Sequence, residues 1–336
     1  MNNILYIGNK LSGQNTNITY IDILGKYLES EGYKIIYASS KKNQVLRLFE
    51  MIFKTLINQH KINKVLIDTY STNGFIFALI ISQLCRLLNL KYIPILHGGN
   101  LPYRLSKNPK LCKLIFNNAQ INVAPSLYLY DEFKAEGFQK IIHIPNSINI
   151  KNYTLNKREI NTPKLLWVRS FNDIYNPKMA IFVYNEILKI YPNTELCMVG
   201  PNQNNLFFEC KKLTEELKIN VKFTGKLTKE EWILLSKDYN IFINTTHLDN
   251  TPLSVIEAMA LGLAVVSTNV GGIPNLINNQ ENGLLVNDND FLKMSQEVIT
   301  LPTNKDKFEY LTKNARNTVE MFDWEIVKKQ WFDVLE

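Results

Sequence analysis

The chain has 336 residues, 46% hydrophobic and 21% charged, with a formal net charge of +7. That composition excludes a disordered or collagen-like chain, and the length exceeds what one hydrophobic core serves, so two domains are expected. Cys85, Cys112, Cys197 and Cys210 form no CxxC pair, which argues against a disulfide scaffold or a cysteine zinc site and suits a reducing compartment.

The apolar run Ile4 to Ile7 has strand length and is broken by Gly8 to Gly13. Residues 18–32 carry Ile21, Leu24 and Leu28 at helical spacing, with Gly32 as a stop. Strands follow at Lys34 to Ala38, Lys64 to Asp68 and Tyr92 to Leu96. Phe75 to Leu88 is the most apolar stretch. It is too short to span a bilayer and reads as a buried helix. The polar stretch Asn149 to Thr162 reads as a linker. A second strand–helix series then starts at Lys164 to Val168. It continues through Glu195 to Gly200, Val221 to Gly225, Asn240 to Asn244, Ala264 to Ser267 and Gly283 to Val286. Alternating strands and helices predict an α/β fold of two doubly wound, Rossmann-like domains, with the ligand in the cleft between them.

Charge is uneven. Residues 1–160 hold 20 Lys and Arg against 9 Asp and Glu, a net +11, whereas residues 161–336 hold 18 against 22, a net −4. A basic first half attracts anionic lipid, anionic glycan or nucleic acid, or its lysines are simply solvated. No nucleic-acid-reading motif accompanies it, so no nucleic-acid partner is expected. The N-terminus lacks the basic and apolar regions of a signal peptide, and the expected location is cytoplasmic.

The densest chemistry lies between Asn244 and Gly262. A strand ends near Asn244. Thr251 is the expected N-cap of a helix with Pro252 at its first position, and Leu253, Ile256, Met259 and Ala260 form the apolar stripe. The helix N-terminus at Asn250, Thr251, Pro252, Leu253 and Ser254 would offer backbone N–H groups to a diphosphate. Asp249 and Glu257 can accept hydrogen bonds from sugar hydroxyls, although Glu257 could equally be a surface acid in mid-helix.

The run Glu257-Ala258-Met259-Ala260-Leu261-Gly262-Leu263-Ala264-Val265-Val266, with Gly271-Gly272-Ile273-Pro274 and Asn282 to Val286, resembles the signature of retaining glycosyltransferases of family 4, which have the GT-B fold. The resemblance implies two Rossmann-like domains facing across a cleft. Residues 1–160 would be the acceptor side, residues 161–315 the nucleotide-sugar side, and residues 316–336 a C-terminal helix crossing back onto the first domain. It implies retaining transfer of a sugar from a UDP- or GDP-type donor to a glycan or lipid-linked glycan, in surface-polysaccharide or glycolipid assembly. The basic first domain would touch the inner membrane face.

By the same resemblance Glu257 binds the donor ribose and Asp249 the donor sugar, an aspartate where the family usually has a glutamate. Arg169 holds the diphosphate. The family's nearby Lys-Gly is missing, and Tyr175 or Lys178 stands in for it. Gly13 packs near the donor phosphate, and Gly200 and Gly225 lie near the base. His97, in His97-Gly98-Gly99-Asn100, hydrogen-bonds a sugar hydroxyl, and Pro145-Asn146-Ser147 marks a hinge. Asp288-Asn289-Asp290 reads as a helix-capping loop. No metal or other cofactor is expected, because Arg169 and the helix dipole would supply the charge neutralisation. Two rival readings use the same residues: a nucleotide-sugar epimerase of this fold, and a non-catalytic sugar-nucleotide binding protein.

Overall fold

The computed structural model describes residues 3–11, 19–38, 40–202 and 204–336. The chain divides into two compact units, Met1–Ser147 with Val327–Glu336, and Ile148–Ile326.

The first unit runs β1 (Asn3–Ile7), α1 (Tyr20–Ser30), β2 (Lys34–Ala38), α2 (Gln44–Asn58), β3 (Lys64–Thr69), α3 (Gly74–Leu87), β4 (Lys91–Leu96), α4 (Leu101–Lys107), α5 (Pro109–Phe116), β5 (Asn122–Ala124), α6 (Leu127–Ala135) and β6 (Ile141–His143). Its sheet has the order β2-β1-β3-β4-β5-β6, every pair parallel. Helices cover both faces, so strands such as Lys64–Thr69 are buried along their whole length and read as near-continuous apolar runs. β5 and β6, three residues each, escaped the sequence reading because a run that short has no period.

The second unit runs β7 (Lys164–Val168), α7 (Pro177–Leu188), β8 (Glu195–Val199), α8 (Asn205–Glu216), β9 (Lys222–Gly225), α9 (Lys229–Leu235), β10 (Ile241–Asn244), α10 (Leu253–Ala260), β11 (Ala264–Thr268), β12 (Leu284–Val286), α11 (Phe291–Thr300) and α12 (Lys305–Glu320). α13 (Trp324–Leu335) closes the chain. The sheet order is β12-β11-β10-β7-β8-β9, again all parallel. One apolar layer centres on Trp167, Phe171 and Phe308, and the other on Phe242, Ile256 and Met259. Each fully buried Leu, Ile or Phe contributes about 1.5–3 kcal/mol of transfer free energy, so these layers make the sheet a firm base for the loops at its edge.

The stretch 149–162 is not a free linker. Tyr153 and Ile160 are core residues of the second unit. The buried Arg158 guanidinium donates to the carbonyls of Ser236 (2.7 Å), Leu261 (3.0 Å) and Tyr239. Its polar composition misled because most of its polar residues do face water, while Tyr153, Arg158 and Ile160 dock the stretch onto the second unit. Among the described residues no helix is long and apolar enough to cross a membrane.

Candidate functional site

In each sheet the strand order reverses direction once, between β1 and β3 in the first and between β7 and β10 in the second. Open parallel sheets bind ligands beyond the carboxyl ends of their strands at this switch point. Most of the chemistry singled out in the sequence lies at those two places.

In the second unit Arg169 follows β7 directly, and Asp249 lies in the loop after β10. Arg169 Nη2 is ion-paired to Asp249 Oδ2 at 2.7 Å, with both side chains mostly buried. Nε and Nη2 also donate to Asn244 Oδ1 at 3.3 and 3.2 Å. Asn244 is itself held by its Nδ2 donating to Ser267 Oγ at 2.9 Å. The guanidinium carbon lies 4.9 Å from the centroid of the Tyr175 ring. Burial raises the Tyr175 phenol above its ordinary value, so the ring stays a neutral stacking surface. A planar guanidinium held along one edge in this way keeps its remaining donors in a fixed direction.

The backbone of the acid loop is held equally firmly. Gly272 N–H donates to the Asp249 carbonyl (3.0 Å), and Asp249 Oδ1 accepts from Asn250 N–H (2.8 Å). A Cβ on Gly271 would run into the Asp249 carbonyl, and one on Gly272 into that of Asn250; Gly271 also has φ +53. That is the physical content of the Gly-Gly pair noticed in the sequence. On the other flank Thr245 Oγ1 donates to the carbonyls of Tyr175 and Asn176, both 2.9 Å.

α10 begins one residue later than expected. Pro252 is the N-cap, extended at φ −73 and ψ 118, and Thr251 precedes it. Val255 and Ile256 N–H both donate to the Pro252 carbonyl, so the first turn closes on Pro252. Pro252 has no N–H, and Leu253 and Ser254 are left as the first residues whose N–H groups have no intrahelical acceptor. Ser254 Oγ is buried and, among the described residues, has no hydrogen-bond partner. Thr251 and Asn250 are buried beside this turn. Gly262, at φ +77, follows the last turn and ends the helix.

Glu257 is not a surface acid: it is 3% exposed. Its Oε1 accepts from Tyr153 OH at 2.9 Å and is ion-paired to Lys229 Nζ. Neither partner was found in the sequence. The usable signal was the capping box Thr228–Glu231, which starts α9 just after β9 and so puts Lys229 at the sheet's carboxyl edge.

The structure does not gather every candidate. Lys178 is exposed and paired with Glu209 Oε2 at 2.6 Å, a hydrogen bond that raises its ammonium above the ordinary value. Tyr175, by contrast, lies against Arg169. Gly225 ends β9, and its carbonyl accepts from Gly200 N–H at 3.0 Å. Gly13 lies outside the described residues. Asp290 caps α11 by accepting from Lys293 N–H (2.9 Å). Among the described residues no group of three or more His, Cys, Asp or Glu is placed to hold a metal ion.

In the first unit His97 follows β4. Its Nε2 lies 2.9 Å from Asp68 Oδ1, both side chains buried. Tyr6 OH donates to the same oxygen at 3.1 Å. Burial, then the Asp68 charge, raise the Tyr6 phenol, which keeps it a donor. With Asp68 as acceptor at Nε2, a neutral imidazole would carry its proton there and present Nδ1 as an acceptor. The imidazole packs between Tyr20 (5.1 Å, edge-on) and Tyr70 (5.4 Å). Asp68 Oδ2 is buried and, among the described residues, has no hydrogen-bond partner, and a Cβ on Gly8 would strike it.

Residues 154–318 match the family model of glycosyl transferases group 1. That match lies within the second unit. An uncharacterized glycosyltransferase of Haemophilus influenzae is 25% identical over 211 residues, 61% of this chain and 57% of that protein. The chain thus spans less than two thirds of that relative's length, and smaller shares of the plant relatives it matches. Sucrose-phosphate synthase from Thermosynechococcus elongatus superposes with a TM-score of 0.82 at 17% identity, covering 99% of this chain and 98% of that one. Anabaena HepE, solved in complex with UDP and glucose, superposes with a TM-score of 0.78 at 16% identity over 99% and 98%. The fold of this chain is therefore GT-B.

Proposed function

We propose that this chain is a retaining glycosyltransferase that moves a hexosyl group from a UDP- or GDP-type nucleotide-sugar to a glycan or lipid-linked glycan acceptor in surface-polysaccharide or glycolipid assembly. The observation that carries the reading is the Arg169–Asp249 pair at the switch point of the second sheet, beside the N-terminus of α10. The guanidinium and the N–H groups of Leu253 and Ser254 suit a leaving diphosphate. Asp249, held by Arg169, suits a donor-sugar hydroxyl. Glu257, buried and already accepting from Tyr153 and Lys229, suits the ribose hydroxyls. Tyr175 stacking on Arg169 takes the place of the missing lysine. With cation and helix dipole in place, the diphosphate needs no metal. His97, oriented by Asp68, would meet a sugar hydroxyl through Nδ1. The membrane is the partner that suits the basic first unit. HepE bound to UDP and glucose makes UDP the nucleotide to test first.

The test is nucleotide release from UDP- and GDP-sugars, with and without mixed glycan acceptors, together with thermal shift. A donor at a hundred times its dissociation constant adds about 2.7 kcal/mol of stability. Acceptor-dependent release with an anomer-retained product supports the reading. Donor turnover that needs no acceptor, or donor binding without release, overturns it in favour of an epimerase or a binding protein.

A further inference from the structure

α2 is built inside out. Its buried positions are Arg47, Met51 and Thr55, one turn apart. Its outward positions are Val45, Leu46, Phe49, Phe53, Leu56 and Ile57, all exposed, with Phe49 at 64% and Phe53 at 62%. A helix on a soluble sheet normally turns its apolar stripe to the core. Here the core-facing side gives only Met51 and Ile52 to the core cluster, and polar bonds hold the rest. Arg47 donates to the carbonyls of Lys41 (2.7 Å) and Lys42 (3.0 Å) and to Asn9 Oδ1 (2.8 Å). Thr55 Oγ1 donates back to the Met51 carbonyl at 2.7 Å. Six large apolar side chains on one exposed face make a contiguous patch of the kind that marks an interaction surface.

The charges around the patch name the partner. Lys41 and Lys42 are exposed just before the helix, and Lys61 is exposed just after it. Glu50 is the one acid between residues 40 and 64. It is neutralised in place, ion-paired to Lys54 at 3.1 Å and accepting from Ser40 N–H at 3.0 Å, with its side chain only 11% exposed. An apolar face with lysines at both ends suits the headgroup boundary of an anionic bilayer, where rings enter the acyl region and ammonium groups stay at the phosphates. A second copy of the chain fits less well, because pairing two such helices in either direction sets lysines against lysines. We propose that α2 is a monotopic membrane anchor, lying flat in an anionic lipid surface through Phe49 and Phe53. This sharpens the membrane contact proposed above and does not rest on the transfer chemistry. It would also place the carboxyl edge of the first sheet at the membrane. The first turn of α2 lies at that edge, with Arg47 bonded to Asn9 after β1 and Gln44 Oε1 accepting from Asn73 after β3 (2.9 Å).

The experiment is co-sedimentation of the full chain with vesicles of phosphatidylcholine alone or mixed with phosphatidylglycerol. Binding should favour the anionic vesicles, and both Phe49→Glu/Phe53→Glu and Lys41→Glu/Lys42→Glu should weaken it by about tenfold or more. These side chains face water, so melting temperature and nucleotide release in solution should match the parent chain. Phe53→Trp should add a fluorescence component that brominated lipids quench. Undiminished binding by the Phe49→Glu/Phe53→Glu variant, or an added component in Phe53→Trp that the brominated lipids leave unquenched, overturns the proposal. So does a parent dimer in sedimentation velocity that the double glutamate variant dissociates, which would make the face an interface between copies. Loss of transfer activity with vesicle binding intact would fault only the enzymatic reading.

Discussion

At the switch point of the second sheet the acids are paired with cations: Arg169 on Asp249, Lys229 on Glu257. At the switch point of the first sheet one carboxylate, Asp68, serves a tyrosine hydroxyl and an imidazole, with aromatic rings around them and, among the described residues, no Lys or Arg paired to it. The same topology is thus filled with two kinds of chemistry. Paired charge can be traded for the charge of an incoming diphosphate at little reorganisation cost, because the dipoles already point the right way. A buried network without a cation cannot do that, but it can hold one imidazole nitrogen in a fixed direction. On the proposed function, charge stabilisation would fall to the second unit and orientation to the first.

The largest effect expected from this contrast is that of Arg169→Ala. It removes the cation from a mostly buried Asp249 and from the place proposed for the diphosphate. Transfer rate should fall by about 10²–10³-fold, the usual cost of losing one preorganised electrostatic contact. Steady-state kinetics over a range of donor concentrations decide it. A loss confined to KM would mean that Arg169 contributes equally to ground state and transition state, and the division of labour between the units would need redrawing.

Asp68→Asn tests the other side of the comparison and should do less. The amide keeps the shape and can still accept from Tyr6 or from Nε2–H, but it removes a charge-assisted bond of about 1.5–3 kcal/mol. About a tenfold loss in kcat is expected, with the pH profile of kcat shifted and KM for donor unchanged. A purely structural role would lower the melting temperature and leave that profile where it was. A loss as large as that of Arg169→Ala would place charge stabilisation in the first unit as well.

The two units also differ in how far they could be read from sequence. The strands of both sheets are legible because burial on both faces turns each into a continuous apolar run, as in Val65-Leu66-Ile67 or Ile241-Phe242-Ile243. The acid loop is legible because its glycines, its proline and Glu257 answer to local backbone geometry. What stayed hidden is partnership across the chain. Tyr153 and Glu257 are 104 residues apart, and Tyr6 and Asp68 are 62 apart. No periodicity carries that information. α2 shows a second limit, since apolar residues at Val45, Phe49, Phe53 and Leu56 have the spacing of a core stripe and the structure turns them to water. Spacing reports that a face is apolar, not what it meets.

His143, at the end of β6 in the first unit, offers the smallest and most specific test. Burial holds its imidazole below the usual value, and the nearby Asp131 charge opposes this only in part. The sign follows from proton counting. Between the folded value and the ordinary value the unfolded chain binds more protons, so stability is intact above the ordinary value and is lost as pH falls through it, levelling off below the folded value. Melting temperature should therefore drop as the buffer goes from about pH 8 to about pH 5. His143→Gln should flatten part of that slope while leaving Arg169-dependent turnover untouched. If the slope is the same in the variant, burial without a compensating charge is not the cost that the first unit carries, and its contrast with the paired acids of the second unit rests on Asp68 alone.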